Sequence, residues 1–264
     1  MRPIFLQIVP LIFALGVSSR TDAQSIDPAE LMKELKNSVK TIDYIPSTTD
    51  PVLQKYKDSE KSRVVDNLLK LAKLSFADQL TLKKNSPASK SELAKDSIEV
   101  FAGMTADYRL EVRLAAISSC QNLRVENNKV VFSAIKKLMV PRKLQPKQWQ
   151  HGTTATERRA AASAIADLYR EDPAALSELA TNVRFFSVYQ GDDLEVYTKE
   201  TVSHILREAR NVFPNAEKFA PKNNSDHYQA ALEVSALIRD LPKDACDKQE
   251  LDKFKKHYKQ ALNY

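Results

Sequence analysis

Glycine is scarce in this chain, with four in 264 residues, at positions 16, 103, 152 and 191. Tight hairpin turns draw on residues that accept positive φ, glycine above all, so this scarcity argues against a sheet protein with many such turns. Gly-rich phosphate-cradling loops are excluded for the same reason. Cysteine is nearly absent too, with only Cys120 and Cys246. There is no CxxC, CxxCH or HExxH, so zinc-ribbon, c-type haem and zincin chemistry have no anchor. The histidines His151, His204, His227 and His257 include no pair four residues apart. The sequence therefore implies no metal site and no cofactor. GxSxG is also missing, which removes the usual nucleophile elbow.

Long apolar runs are missing except at the start. Ile4 to Val17 is apolar apart from Gln7, Arg2 precedes it, and Thr21 and Ala23 stand at −3 and −1 before Gln24. A positive start, a short apolar core and small residues at the cut predict a secretory signal over residues 1–23, with Ser19 as a second cut site. The alternative is a membrane anchor, but a span needs about 20 apolar residues and this run is shorter. No cysteine follows the run, which argues against a lipid anchor. No later stretch is long and apolar enough to span a bilayer. The expected product is an exported protein, periplasmic or extracellular, with one helical domain over residues 24–264.

In an oxidising compartment Cys120 and Cys246 can pair, and a bridge closing so long a loop would stabilise by about 4–5 kcal/mol. The alternative has Cys120 buried in a helix and Cys246 as a surface thiol. The balance of 40 Lys+Arg against 34 Asp+Glu gives a net charge of +6, spread along most segments. So mild a bias suits an ordinary solvated surface as well as an anionic partner.

What the chain does have is helical periodicity. Asp27-Pro28-Ala29-Glu30 reads as a helix start, with Leu31, Leu35, Val39 and Ile42 on one face and Pro46 as the stop. Ser47 to Pro51 reads as a linker. Val64 to Leu74 forms a broad apolar stripe reaching towards Leu82, and a shorter helix is expected from Ser89 to about Met104. Further helices are expected from Asp107 to about Leu123, Val130 to Val140, Thr156 to Glu171, and Asp172 to about Phe186. The last three run from Asp192 or Asp193 to about Phe213, Asp226 to Leu241, and Lys248 to Leu262.

Laid over one another, these helices show an internal echo. Glu111-Val112-Arg113-Leu114-Ala115-Ala116 matches Glu157-Arg158-Arg159-Ala160-Ala161-Ala162 at an offset of 46, and each match leads into a helix, a turn and a second helix. Lys61 to Val65 and Tyr197 to Val212 are candidate outer copies. An arginine followed by small residues, at a helix-pair period in the forties, resembles HEAT/armadillo-type repeats over residues of about 60–215. The resemblance implies an all-α, solenoid-like stack of antiparallel helix pairs. An irregular helical bundle with closely packed Ala-rich helices satisfies the same pattern.

Basic side chains gather around the prolines of the segment from Pro141 to Thr154. Arg142, Lys143 and Lys147 flank Trp149, the only tryptophan, with His151 beyond it and Arg158 and Arg159 on the next helix. Folded together, they would form a positive patch with an exposed aromatic. A second group, Phe185, Phe186, Tyr189 and Tyr197 around Gly191, reads as core or as the cap of a groove. Asp192-Asp193 fits helix capping. The leading expectation is an exported scaffold that binds a protein or an anionic envelope component. The export signal argues against nucleic acid. One rival is an enzyme with dispersed catalytic residues acting in the envelope as a hydrolase or lyase, with His151 or a groove carboxylate as candidate. Another is an envelope assembly factor.

Overall fold

A computed structural model describes residues 27–38, 50–85, 91–124, 128–139, 154–170, 172–188, 199–212 and 225–262. Among these the chain is all-α. The helices are α1 (Pro28–Ser38), α2 (Pro51–Asn85), α3 (Glu92–Met104), α4 (Leu110–Leu123) and α5 (Lys129–Lys137), then α6 (Ala155–Leu168), α7 (Pro173–Val188), α8 (Lys199–Val212), α9 (Ser225–Asp240) and α10 (Lys248–Leu262). None is long and apolar enough to cross a membrane.

Local chemistry sets the starts. Asp27, Asp50 and Asp172 each precede a proline, and each accepts on Oδ1 from the amide two residues on, that of Ala29, Val52 or Ala174. Proline fills the first helical position, where a missing N–H costs nothing. Asn128 caps α5 through the amides of Val130 and Val131. Thr154 and Glu157 form a reciprocal capping box on α6. The expected linker from Ser47 to Pro51 lies outside the described residues except for Asp50 and Pro51, which open α2.

The helices pack by chain order. α2, α4, α6, α8 and α10 form one row of successive contacts, and α1, α3 and α5, then α7 and α9, form contacts of the same kind beside it. Every extensive contact joins helices that are adjacent or next but one in sequence. The buried residues explain this order. In α2 they include Asn67, Leu68, Leu71, Ala72 and Ser75; in α4 Val112, Arg113, Ala116, Ile117 and Cys120. In α6 they include Glu157, Arg158, Ala161, Ala162 and Ile165; in α8 Thr201, Val202, Ile205, Leu206 and Ala209. Each set has the spacing i, i+1, i+4, i+5, i+8, which lines one helix face. Its first member moves from 67 to 112, 157 and 201. α10 continues with Glu250, Leu251, Phe254 and Tyr258.

The register that burial defines is therefore 45 residues between α4 and α6, not the 46 read from sequence identity. Glu111 has a side chain 53% exposed and bonds Lys61, whereas Glu157 is fully buried. The equivalent of Arg113 is Arg158, not Arg159.

Buried charge stitches the stack together. Arg109 makes a bidentate pair with Asp107 and donates to the carbonyl of Ser38 at the end of α1. Arg113 donates to the carbonyl of Asp107 and pairs with Glu157, so α4 holds the residue that caps α6. At the far end the Tyr258 hydroxyl donates to the carbonyl of Ala209, fixing α10 on α8.

Candidate functional site

The structure splits the expected basic patch. Arg142, Lys143, Lys147, Trp149 and His151 lie outside the described residues. Arg158 is 1% exposed, one of the largest fully buried side chains, and so belongs to the stack rather than to a surface patch. The reason is helical phase. Arg158 follows Glu157 on the face turned to neighbouring helices, while Arg159, one residue on, reaches solvent. Of the aromatic group, Phe185 packs against the core, and Tyr189 and Tyr197 lie outside the described residues, as does the side chain of Phe186.

Of the two readings open for the cysteines, the disulfide is not formed. Cys120 and Cys246 are free thiols, one inside α4 and the other in the turn before α10. Both are buried, so Cys246 is not a surface thiol either. Burial pushes the Cys120 thiol up to about 12 and that of Cys246 up to about 11. Such thiols are poor nucleophiles.

The polar cluster that does converge sits in the seam between α6 and α8. Arg159, Ser163 and Asp167 recur every fourth residue along α6, while α8 supplies His204, Arg207, Glu208 and Asn211. Ser163 Oγ and His204 Nε2 are 3.0 Å apart. Glu208 Oε1 is 3.7 Å from the same nitrogen. The side chains of His204 and Glu208 are 23% and 15% exposed, so the cluster opens to solvent. Burial, then the charges of Arg207 and Arg159, push the His204 pKa down, against a hydrogen bond with the Arg159 backbone that raises it. Burial also raises the Glu208 carboxyl, which Asn211 and Arg207 only partly offset. The imidazole is thus neutral near pH 7 in a field set by two guanidinium groups.

No family model, curated protein or solved structure matches this chain. The hydroxyl and imidazole of the cluster meet the distance requirement for a nucleophile and its base. Among the described residues, no group of three or more His, Cys, Asp or Glu side chains converges to hold a metal ion.

Sequence reasoning fixed on His151 and passed over His204. A local signal was present, since His204 and Glu208 stand four apart on one helix face. The partner Ser163 lies 41 residues earlier and meets His204 only because α8 stacks on α6. A serine–lysine spacing, Ser133 to Lys136, was also passed over. In α5 the Lys136 ammonium is bound to Glu178 at 2.8 Å.

Proposed function

We propose that this is an exported scaffold of HEAT/armadillo-like helix pairs that binds a protein or an anionic component of the envelope. The observation that supports this reading is the packing order: every extensive contact among the described residues joins helices adjacent or next but one in sequence, and one five-position burial pattern recurs through α2, α4, α6 and α8. Stacks of this kind grow in one dimension and carry long lateral surfaces suited to binding. The terminal helices fit such a stack. α1 buries only Leu31, Leu35 and Ser38, and the far side of α10 carries Lys248, Asp252, Lys256 and Lys259 in solvent.

The partner is recognised by the basic segment containing Arg142, Lys143, Lys147, Trp149 and His151 together with exposed Arg159. Arg158 belongs to the fold and is left intact in the test. The mature protein is used to capture partners from envelope extract, beside a variant carrying Arg142→Glu, Lys143→Glu and Arg159→Glu. The same retained molecule should be lost with the variant; equal retention refutes the assigned surface. Export is checked separately by the N-terminus of the protein recovered outside the cytoplasm, which should be Gln24. An intact Met1 in every fraction refutes the signal.

A further inference from the structure

We propose that Ser163 and His204 form a nucleophile–base dyad that transfers acyl groups from esters carrying a negative charge near the scissile carbonyl. This activity does not rest on the scaffold reading, although Arg159 serves both, and the labelling of Ser163 can fail without loss of partner capture.

Ser163 Oγ lies 3.0 Å from His204 Nε2, within the reach a nucleophile needs from its base. In the tautomer protonated on Nδ1, Nε2 accepts the serine proton. The surroundings keep the ring in the neutral form that a base requires. At 3.7 Å, Glu208 is too distant to hydrogen-bond Nε2 at rest. Its charge is still near enough to offset the positive charge that His204 gains on taking the proton. Ser163 lies within α6, whose backbone N–H groups are committed to the helix, so none is aimed at an oxyanion. Arg159, four residues before Ser163 on α6, and Arg207, three after His204 on α8 and 3.7 Å from Glu250, are the cations flanking the dyad, and they favour an acyl group that is itself anionic.

The steps balance without a further reagent. Ser163 Oγ bonds to the carbonyl carbon as its proton passes to Nε2. The tetrahedral oxyanion then collapses, the ester C–O bond breaks, and the leaving alkoxide takes the proton from His204. Water, deprotonated by Nε2, attacks the acyl-serine, releasing a carboxylic acid and restoring the Ser163 hydroxyl.

The stack supplies its own control. Ser118 in α4 is the equivalent of Ser163 at the 45-residue spacing and is likewise half-buried, but the α6 position equivalent to His204 is Ala160. The test treats the full mature protein with a fluorophosphonate probe and maps the adduct by mass spectrometry, with a known serine hydrolase as positive control. An adduct is expected on Ser163 and not on Ser118. His204→Gln, checked for helicity by circular dichroism, should slow labelling by at least roughly a hundredfold. Among p-nitrophenyl esters, a half-ester of a dicarboxylic acid should be cleaved faster than the acetate, and Arg159→Ala with Arg207→Ala should remove that preference. No adduct on wild-type Ser163 while the control is labelled, equal labelling of Ser118, or labelling that survives His204→Gln would overturn the proposal.

Discussion

Replacing Glu157 with alanine should cost far more than its place in the first turn of a helix suggests. Glu157 accepts from the Thr154 amide at 2.7 Å and pairs with Arg113 of α4, whose side chain is 7% exposed while that of Glu157 is fully buried. Truncation removes a capping-box partner, worth about 1 kcal/mol. It also leaves the Arg113 charge buried without its carboxylate, worth about 3–5 kcal/mol. The combined expectation is about 4–6 kcal/mol. Glu157→Gln keeps an acceptor for the cap but loses the charge, so it should cost about half as much. Replacing Arg113 and Glu157 together with methionine removes both charges and keeps side-chain volume. The pair should then cost much less than the two single changes added, with a coupling of about 2 kcal/mol or more. Urea unfolding followed by circular dichroism at 222 nm measures Glu157→Ala, Glu157→Gln, the methionine pair and its two single changes. A cost below about 1 kcal/mol for Glu157→Ala, or single effects that simply add, would refute the reasoning.

Four other outcomes follow from the structure. Cys120 and Cys246 should resist a thiol reagent in the native protein and both react once it is unfolded without reductant; failure of either to react after unfolding would show a disulfide. Arg159→Ala should shift stability by less than about 0.5 kcal/mol, whereas Arg158→Ala should cost about 2–4 kcal/mol, and equal effects would refute the assigned register. Tyr258→Phe should cost about 1 kcal/mol through its lost bond to Ala209, and Tyr258→Ala about 3–5 kcal/mol, read by urea unfolding. The His204 pKa is lowered on folding, so the unfolded chain binds more protons below about pH 6.5. Its contribution is fully present above that pH and is lost as pH falls through the folded value. Raised Glu208 acts with the opposite sign, so the reading is a difference: from pH 7 to 5 the wild type should lose more stability than His204→Gln, and parallel losses would refute it.

Most of the fold was legible because helix boundaries are local chemistry. Asp-Pro at 27 and 172 opens α1 and α7 as expected, and α3, α4, α5, α6, α7, α9 and α10 all lie within three residues of their expected ends. Pro51 was misread, since an Asp-Pro step after a polar segment looks like a linker until the helix beyond it is known. The repeat was visible, but its register was not. Identical letters favoured an offset of 46, pairing Arg113 with Arg159, while burial pairs Arg113 with Arg158. Two adjacent arginines carry the same letter and opposite environments, and only the phase of α6 against its neighbours separates them. The Ser163–His204 contact was hidden for a related reason: neither residue is unusual in its own helix, and the stacking brings them together.

The position after the first of each buried set is Leu68 in α2, Arg113 in α4, Arg158 in α6 and Val202 in α8. Apolar residues begin and end the row, and arginines fill the middle. An apolar contact between helices tolerates a slip of one turn, because leucine packs on alanine almost wherever they meet. A buried guanidinium does not, because its desolvation is offset only where a carboxylate or carbonyl is waiting. Arg113 finds both, Glu157 on the next helix of its row and the Asp107 carbonyl at the start of its own. The middle joint of the stack is thus fixed in register by charge, while its ends are held by apolar packing. The methionine pair separates these contributions: stability near wild type, but with amide exchange faster in α4 and α6 than in α2 and α8, would show charge setting the register and not the strength of the joint. Uniform exchange through all four helices would show that apolar packing sets both.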